Sequence, residues 1–182
     1  MQYSAFIVTC TVAIIFASAG QAQQSTVTLK NTSQSQTGAA SGARQKAAIG
    51  SVSGKGRSSV NAAGLRQRQG ATKNSEQSAR IGNIKGSGTA RVWARRLSQS
   101  QSGGRNNRQN MRIGNVSGSG SAQVFADFVR QMQSGGSNNI QELSVGNVQG
   151  RGTTYVIIKD FEQSQSGSSG AGQSMSVSGA SD

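Results

Sequence analysis

Ile113-Gly114-Asn115-Val116-Ser117-Gly118-Ser119-Gly120-Ser121-Ala122-Gln123-Val124 recurs in outline along the chain. Its head returns as Ile49-Gly50-Ser51-Val52, Ile81-Gly82-Asn83-Ile84 and Val145-Gly146-Asn147-Val148, in steps of 32 residues. The apolar leaders are therefore Ile49, Ile81, Ile113 and Val145. A glycine pair follows each head at one offset: Gly54/Gly56, Gly86/Gly88, Gly118/Gly120 and Gly150/Gly152. Both members of each pair read as turn glycines. Next stands a valine, as Val60, Val92, Val124 and Val156. An apolar position follows (Leu65, Leu97, Val129, Phe161), then two glutamines: Gln67/Gln69, Gln99/Gln101, Gln131/Gln133 and Gln163/Gln165. Gln45, Gln77, Gln109 and Gln141 keep the same step. Gln34/Gln36 lie one residue early, and the last copy is truncated after Gln163, although Val177 holds the apolar phase. Four copies with degenerate ends mark a repeat architecture whose terminal units act as caps.

Within a copy the period is two, which is the period of a strand. Val124 and Ala126 share one side of a run, Val129, Gln131 and Gln133 a side of the next, and Gln109, Met111 and Ile113 a side of a third. The alternation changes phase between Ala126 and Val129, which predicts a corner near Asp127-Phe128. Gly135-Gly136-Ser137-Asn138-Asn139 and Ser117-Gly118-Ser119-Gly120 predict turns, because Gly and Asn tolerate positive φ. Gly, Ser, Asn and Thr are weak helix formers, and no long 3.6-period stripe competes. The expectation is all-β: a β-solenoid, or cross-β stack, of about four 32-residue repeats with two or three strands each. Stacking copies at about 4.8 Å places valine on valine and glutamine on glutamine. Inward amides can then bond along the stack, so a buried glutamine carries no unsatisfied group. Disordered low-complexity filler is the competing reading, but filler has no reason to keep Gln and Val in phase.

Composition agrees with a fold that needs little apolar mass. Of 182 residues, 33% are hydrophobic and 4% aromatic, with 25 Gly, no Pro and no His. Net charge is +13 and unevenly spread. Gln23 to Arg112 carry sixteen basic residues and one acid, Glu76, whereas Ile113 to Asp182 carry three basic and five acidic. Like charges stacked at strand spacing repel, so assembly should favour salt or a polyanion. Arg91, Arg95, Arg96, Arg105, Arg108 and Arg112 are the candidate polyanion contacts. Extracellular DNA, acidic polysaccharide and anionic lipid are the candidate partners; the competing reading is a solvated charge that keeps the subunit soluble. Trp93 reads as a surface or packing residue.

Phe6 to Ala19 form an apolar run followed by small residues up to Ala22. A run this short falls below the roughly 20 residues of a spanning helix and fits a secretory signal. Residues 1–22 are read as that signal, 23–44 as an N-terminal segment and degenerate repeat start, 45–166 as the solenoid, and 167–182 as a flexible Gly/Ser-rich truncated repeat. The single cysteine, Cys10, falls inside the signal, which leaves the mature chain without disulfides or a thiolate site.

Gln101-Ser102-Gly103-Gly104-Arg105-Asn106 and Gln133-Ser134-Gly135-Gly136-Ser137-Asn138 fit the Gln-x-Gly-x-x-Asn pattern of curlin subunits, the bacterial extracellular amyloid fibre proteins. Gln69 to Asn74 keeps the spacing with Ala71 in the glycine place. Gln36-Thr37-Gly38 ends in Ser41, and Gln165-Ser166-Gly167 ends in Gly170, where the pattern has Asn. The chain thus resembles a curlin-like protein over residues 31–175, with a longer repeat than curlins have. The resemblance implies export across the outer membrane, with a related fibre subunit or export machinery as partner. It also implies nucleated fibre growth at the cell surface, adhesion and biofilm matrix.

The expected function is a secreted, self-associating structural subunit, or nucleator, located extracellularly or at the cell surface. No catalytic, cofactor-binding or metal residue is assigned. Histidine, the usual general base and metal ligand, is absent. Gly86-Ser87-Gly88 and Gly118-Ser119-Gly120 lack the Lys-Ser/Thr of a phosphate loop. Two alternatives stand beside this reading: a basic glycine-rich host-defence protein, similar to gloverins and attacins in composition, and a silk or eggshell matrix protein.

Overall fold

Buried Val, Ile, Ala, Leu and Gln alternate with more exposed Arg, Thr and Ser, as suits a half-buried pleated surface, and Gly and Asn end each run. The computed structural model describes residues 9–17, 24–36, 42, 44–70, 73–167, 169–177 and 180–181. Among them are seventeen strands and no helix. They begin with β1 (Thr9–Ala17), β2 (Gln24–Lys30), β3 (Ser33–Gln36), β4 (Arg44–Ser53), β5 (Arg57–Ala63) and β6 (Arg66–Gly70). Then come β7 (Glu76–Ile81), β8 (Ile84–Lys85), β9 (Thr89–Ser102), β10 (Arg108–Ile113), β11 (Val116–Ser117) and β12 (Ser121–Ser134). The last are β13 (Ile140–Val145), β14 (Val148–Gln149), β15 (Thr153–Ser166), β16 (Gly172–Val177) and β17 (Ala180–Ser181).

All of the strand pairs are parallel, and they form two sheets. One sheet stacks β2 with β3, β5 with β6, then β9, β12 and β15. The other stacks β1, β4, β7 with β8, β10 with β11, β13 with β14, and β16 with β17. The chain crosses from one sheet to the other twice per coil, so it is a β-solenoid. A coil holds one long strand (β12), a six-residue strand (β13) and a two-residue strand (β14), which is three strands per repeat.

The register carries the 32-residue step directly. Val124 lies beside Val92 and Val156, and Gln131 beside Gln99 and Gln163. At the start the step is 33: Val27 pairs Val60 and Gln34 pairs Gln67. The extra residue sits between Gln36 and Arg44, since Arg44 already pairs Glu76 at 32.

Val60, Val92, Val124, Ile81, Ile113, Leu97 and Met111 are fully buried between the sheets. Val156 and Phe161 in β15 are only partly buried, because no further described strand covers the last coil. The predicted corner is present: Phe128 has φ of 54°. The whole column is left-handed, with Asn31 at 53°, Gly64 at 73°, Arg96 at 54° and Asp160 at 51°. One left-handed residue flips the alternation, so Val124 and Val129 both point inward although five residues separate them.

Both members of each pair lie in the short segment between two strands, but they serve two different needs. Gly54, Gly86, Gly118 and Gly150 take positive φ, from 84° to 118°, as a turn requires. The second members Gly88, Gly120 and Gly152 do not, and crowding between coils accounts for them instead. A Cβ on Gly88 or Gly120 would stand 2.6 Å from the carbonyl oxygen of the glycine one coil below, Gly56 or Gly88, and press on Val52 or Ile84. On Gly152 it would stand 2.7 Å from the Gly120 carbonyl oxygen and 2.6 Å from the Val116 side chain.

The described solenoid extends beyond residues 45–166 at both ends. Gly172–Val177, read from sequence as flexible, pairs with β13 and completes the last coil, because Gln173 and Val177 continue the Gln141 and Val145 columns. Thr9–Ala17, inside the expected signal, lies as a strand along β4; the rest of that signal falls outside the described residues.

Candidate functional site

Two rows of glutamine amides run the length of the interior. In the first, Gln67 Nε2 donates to Gln34 Oε1 at 2.7 Å, Gln99 to Gln67 and Gln131 to Gln99 at 2.8 Å, and Gln163 to Gln131 at 3.2 Å. In the second, Gln77 donates to Gln45 at 3.0 Å, Gln109 to Gln77 and Gln141 to Gln109 at 2.8 Å, and Gln173 to Gln141 at 2.9 Å. An amide nitrogen has two donors, and the second crosses to the facing sheet. Gln99 Nε2 reaches Asn110 O at 3.2 Å, Gln131 reaches Glu142 O at 3.0 Å, and Gln45 reaches Arg68 O at 3.0 Å. Rungs such as Gln99 and Gln131 therefore tie coil to coil and sheet to sheet. Gln67, Gln77, Gln109, Gln131 and Gln141 are fully buried, and this complete bonding is what removes the penalty of burying them.

The Gln69, Gln101, Gln133 and Gln165 column faces the same interior but is bonded differently. Gln165 Nε2 donates to Gln133 Oε1 at 3.2 Å. Both amide atoms of Gln101 and the Nε2 of Gln133 are buried without a hydrogen-bond partner among the described residues.

Asparagine forms further ladders that the sequence reading did not assign. Asn139 Oδ1 accepts from the Asn107 backbone N–H, and Asn107 Oδ1 accepts from the Ser75 N–H, both at 3.0 Å. Asn115 Oδ1 accepts from the Asn147 N–H at 3.0 Å. Asn107 and Asn139 are almost completely buried. The recurrence of the second Asn in Asn106-Asn107 and Asn138-Asn139 was the available signal. Gly82 and Gly114 were also passed over as contacts. A Cβ on either would overlap the Val92 or Val124 side chain of the facing sheet, so these glycines set how closely the sheets approach.

The six candidate arginines do not form one patch. Arg91, Arg95 and Arg96 stand on the exposed side of β9, Arg108 and Arg112 on that of β10, and Arg105 in the turn between them. Like charges do stack in neighbouring coils: Arg80 pairs Arg112, and Lys73 pairs Arg105. Opposite charges stack nearer the C-terminal end, where Arg130 meets Glu162 at 2.7 Å. Both partners are about half exposed, so this pair adds little stability. Trp93 is half-buried on the outer side and stacks on Phe125, with centroids 5.9 Å apart. Among the described residues no group of three His, Cys, Asp or Glu is placed to hold a metal, and no helix is long and apolar enough to cross a membrane.

Among the described residues no strand covers β15, β16 or β17. Gln163, Gln165 and Gln173 are the last rungs, and Tyr155, Met175 and Val177 are exposed beside them. Searches against family models, curated proteins and solved structures find no match for the chain.

Proposed function

We propose that the chain is a secreted, non-enzymatic structural subunit, or the nucleator, of an extracellular amyloid-like fibre for surface adhesion and biofilm matrix. One observation carries this reading: both glutamine ladders run unbroken through the coils to β15 and β16, which no further strand covers among the described residues. An unpaired parallel edge is a template for another chain. With residues 1–22 removed, so that Thr9–Ala17 no longer covers β4, extending the register by one coil sets Val27 over Val156, Leu29 over Ile158, Gln34 over Gln163, and Gln45 over Gln173. Unlike ends that match give open, head-to-tail growth, hence a filament. The basic N-terminal half would then meet the acidic C-terminal half at every joint. The likeness to curlins in Gln101–Asn106 and Gln133–Asn138 supports the same reading.

The test compares the chain from Gln23 onward with two variants, by electron microscopy and growth kinetics. Changing Gln99, Gln131 and Gln163 together to Lys stacks charges inside the coils and abolishes fibres. Changing only Gln163 and Gln165 to Lys leaves the inner coils intact. A charge desolvated at each joint then slows elongation about tenfold or more, since this costs well over 1.4 kcal/mol. Fibre growth at the parent rate by the second variant, with its strand content retained, would refute this joint.

A further inference from the structure

On the outer side of the β9–β12–β15 sheet, beside the glycine turns, lies a cleft of about 860 Å³. It is lined from Thr26 in the first coil to Tyr155 in the last, so it runs along the solenoid axis and across β2, β5, β9, β12 and β15. Four steps of strand spacing make it about 19 Å long. A trough that crosses strands in this way accepts a linear polymer.

The lining identifies the polymer. Thr89, Ser121 and Thr153 stack as one row of hydroxyls, and Gln123 adds an amide in the next. Trp93 and Tyr155 supply the aromatic surface, and Phe125 joins them, with Trp93 stacked on it and Tyr155 edge-on at 6.4 Å. These rings are outside the core, so packing between the sheets does not explain them. Among the described residues Arg57 and Arg91 are the only charged ones in the lining, and none there is acidic. They stand one coil and two residues apart, about 8 Å. Two arginines among fourteen lining residues is too sparse for a nucleic acid, whose affinity rests on dense phosphate neutralisation. Hydroxyls, an amide, aromatic edges and widely spaced arginines match sugar rings that carry an occasional carboxylate.

We infer that this cleft binds a linear acidic polysaccharide along the solenoid axis, with Arg57 and Arg91 pairing its carboxylates and Trp93 against its sugar rings. The inference stands apart from the assembly reading, because the cleft lies within one chain and on a lateral face. Trp93 is the only tryptophan, so its fluorescence reports the cleft alone.

The experiment titrates the chain from Gln23 onward, folded and in its fibres, with polyuronate oligomers, a neutral glucan and single-stranded DNA of similar length. Saturable change in Trp93 emission is expected with the polyuronate. The double variant Arg57→Gln/Arg91→Gln is expected to bind at least tenfold more weakly, with unchanged circular dichroism. The control Lys46→Gln/Arg80→Gln, equal in charge but on the other sheet, should bind as the parent does. Equal loss in both variants would show general electrostatics and overturn the proposal. So would DNA that shifts Trp93 as strongly at the same ionic strength, or a polyuronate that leaves Trp93 unchanged.

Discussion

Gln99 and Gln101 sit two residues apart on one strand and face the same interior, yet their amides differ in state. Gln99 donates to Gln67 and Asn110 and accepts from Gln131. Gln101 has no partner for either amide atom among the described residues. Gln99→Leu strands Gln67 Oε1 and the Asn110 carbonyl, so it should cost about 2 kcal/mol or more. Gln101→Leu removes two unsatisfied polar atoms and should be neutral or stabilising. Urea unfolding of both variants checks the pair, and equal losses would contradict the bonding described. Gly88→Ala and Gly120→Ala form a second residue-scale test. Each Cβ would meet the carbonyl of the coil beneath, so the stack must open and the midpoint fall. The two ladders were legible in the sequence because their glutamines repeat at one step. The silent Gln101 was not: spacing shows which residues stack, and only side-chain geometry shows which amides meet.

At the scale of the element, the long strand β12 is two strands joined by one left-handed residue. Phe128 occupies that place with 54% of its surface exposed, and a bulky residue there costs about 1–2 kcal/mol. The second coil already uses Gly64 at this position. Phe128→Gly should therefore raise stability by about 0.5 kcal/mol or more, after the entropy cost of glycine. A lower unfolding midpoint would mean that the ring contributes packing that outweighs the strain. The phase change between Ala126 and Val129 exposed this corner in the sequence, because alternation cannot reverse without an irregular residue. Strand β16 of the other sheet was harder to read. Gly172–Val177 is flanked by Gly and Ser, so local propensity argues for a loop. Pairing in register with β13 overrides it.

At the scale of the whole molecule, charge and stacking oppose each other. Arg80 on Arg112 and Lys73 on Arg105 repel across adjacent coils, while the C-terminal half is slightly acidic. Raising salt from about 0.01 M to 0.15 M shortens the screening length from about 30 to 8 Å. The urea midpoint of the chain from Gln23 should rise across that range, as followed by circular dichroism; a fall would mean that opposite-charge pairs such as Arg130–Glu162 outweigh the repulsion. The scatter of Arg91, Arg95, Arg96, Arg105, Arg108 and Arg112 over two faces was beyond sequence reasoning. Position along a coil is periodic, but which face a corner turns toward depends on the fold of the complete coil. Head-to-tail continuation of one parallel register is tested by fibre diffraction on aligned fibres of the chain from Gln23. A sharp meridional reflection near 4.8 Å and an equatorial one near 10 Å are expected, from strands perpendicular to the fibre axis. Strands running along the axis, or a chain that stays monomeric at high concentration with its strand content intact, would contradict it.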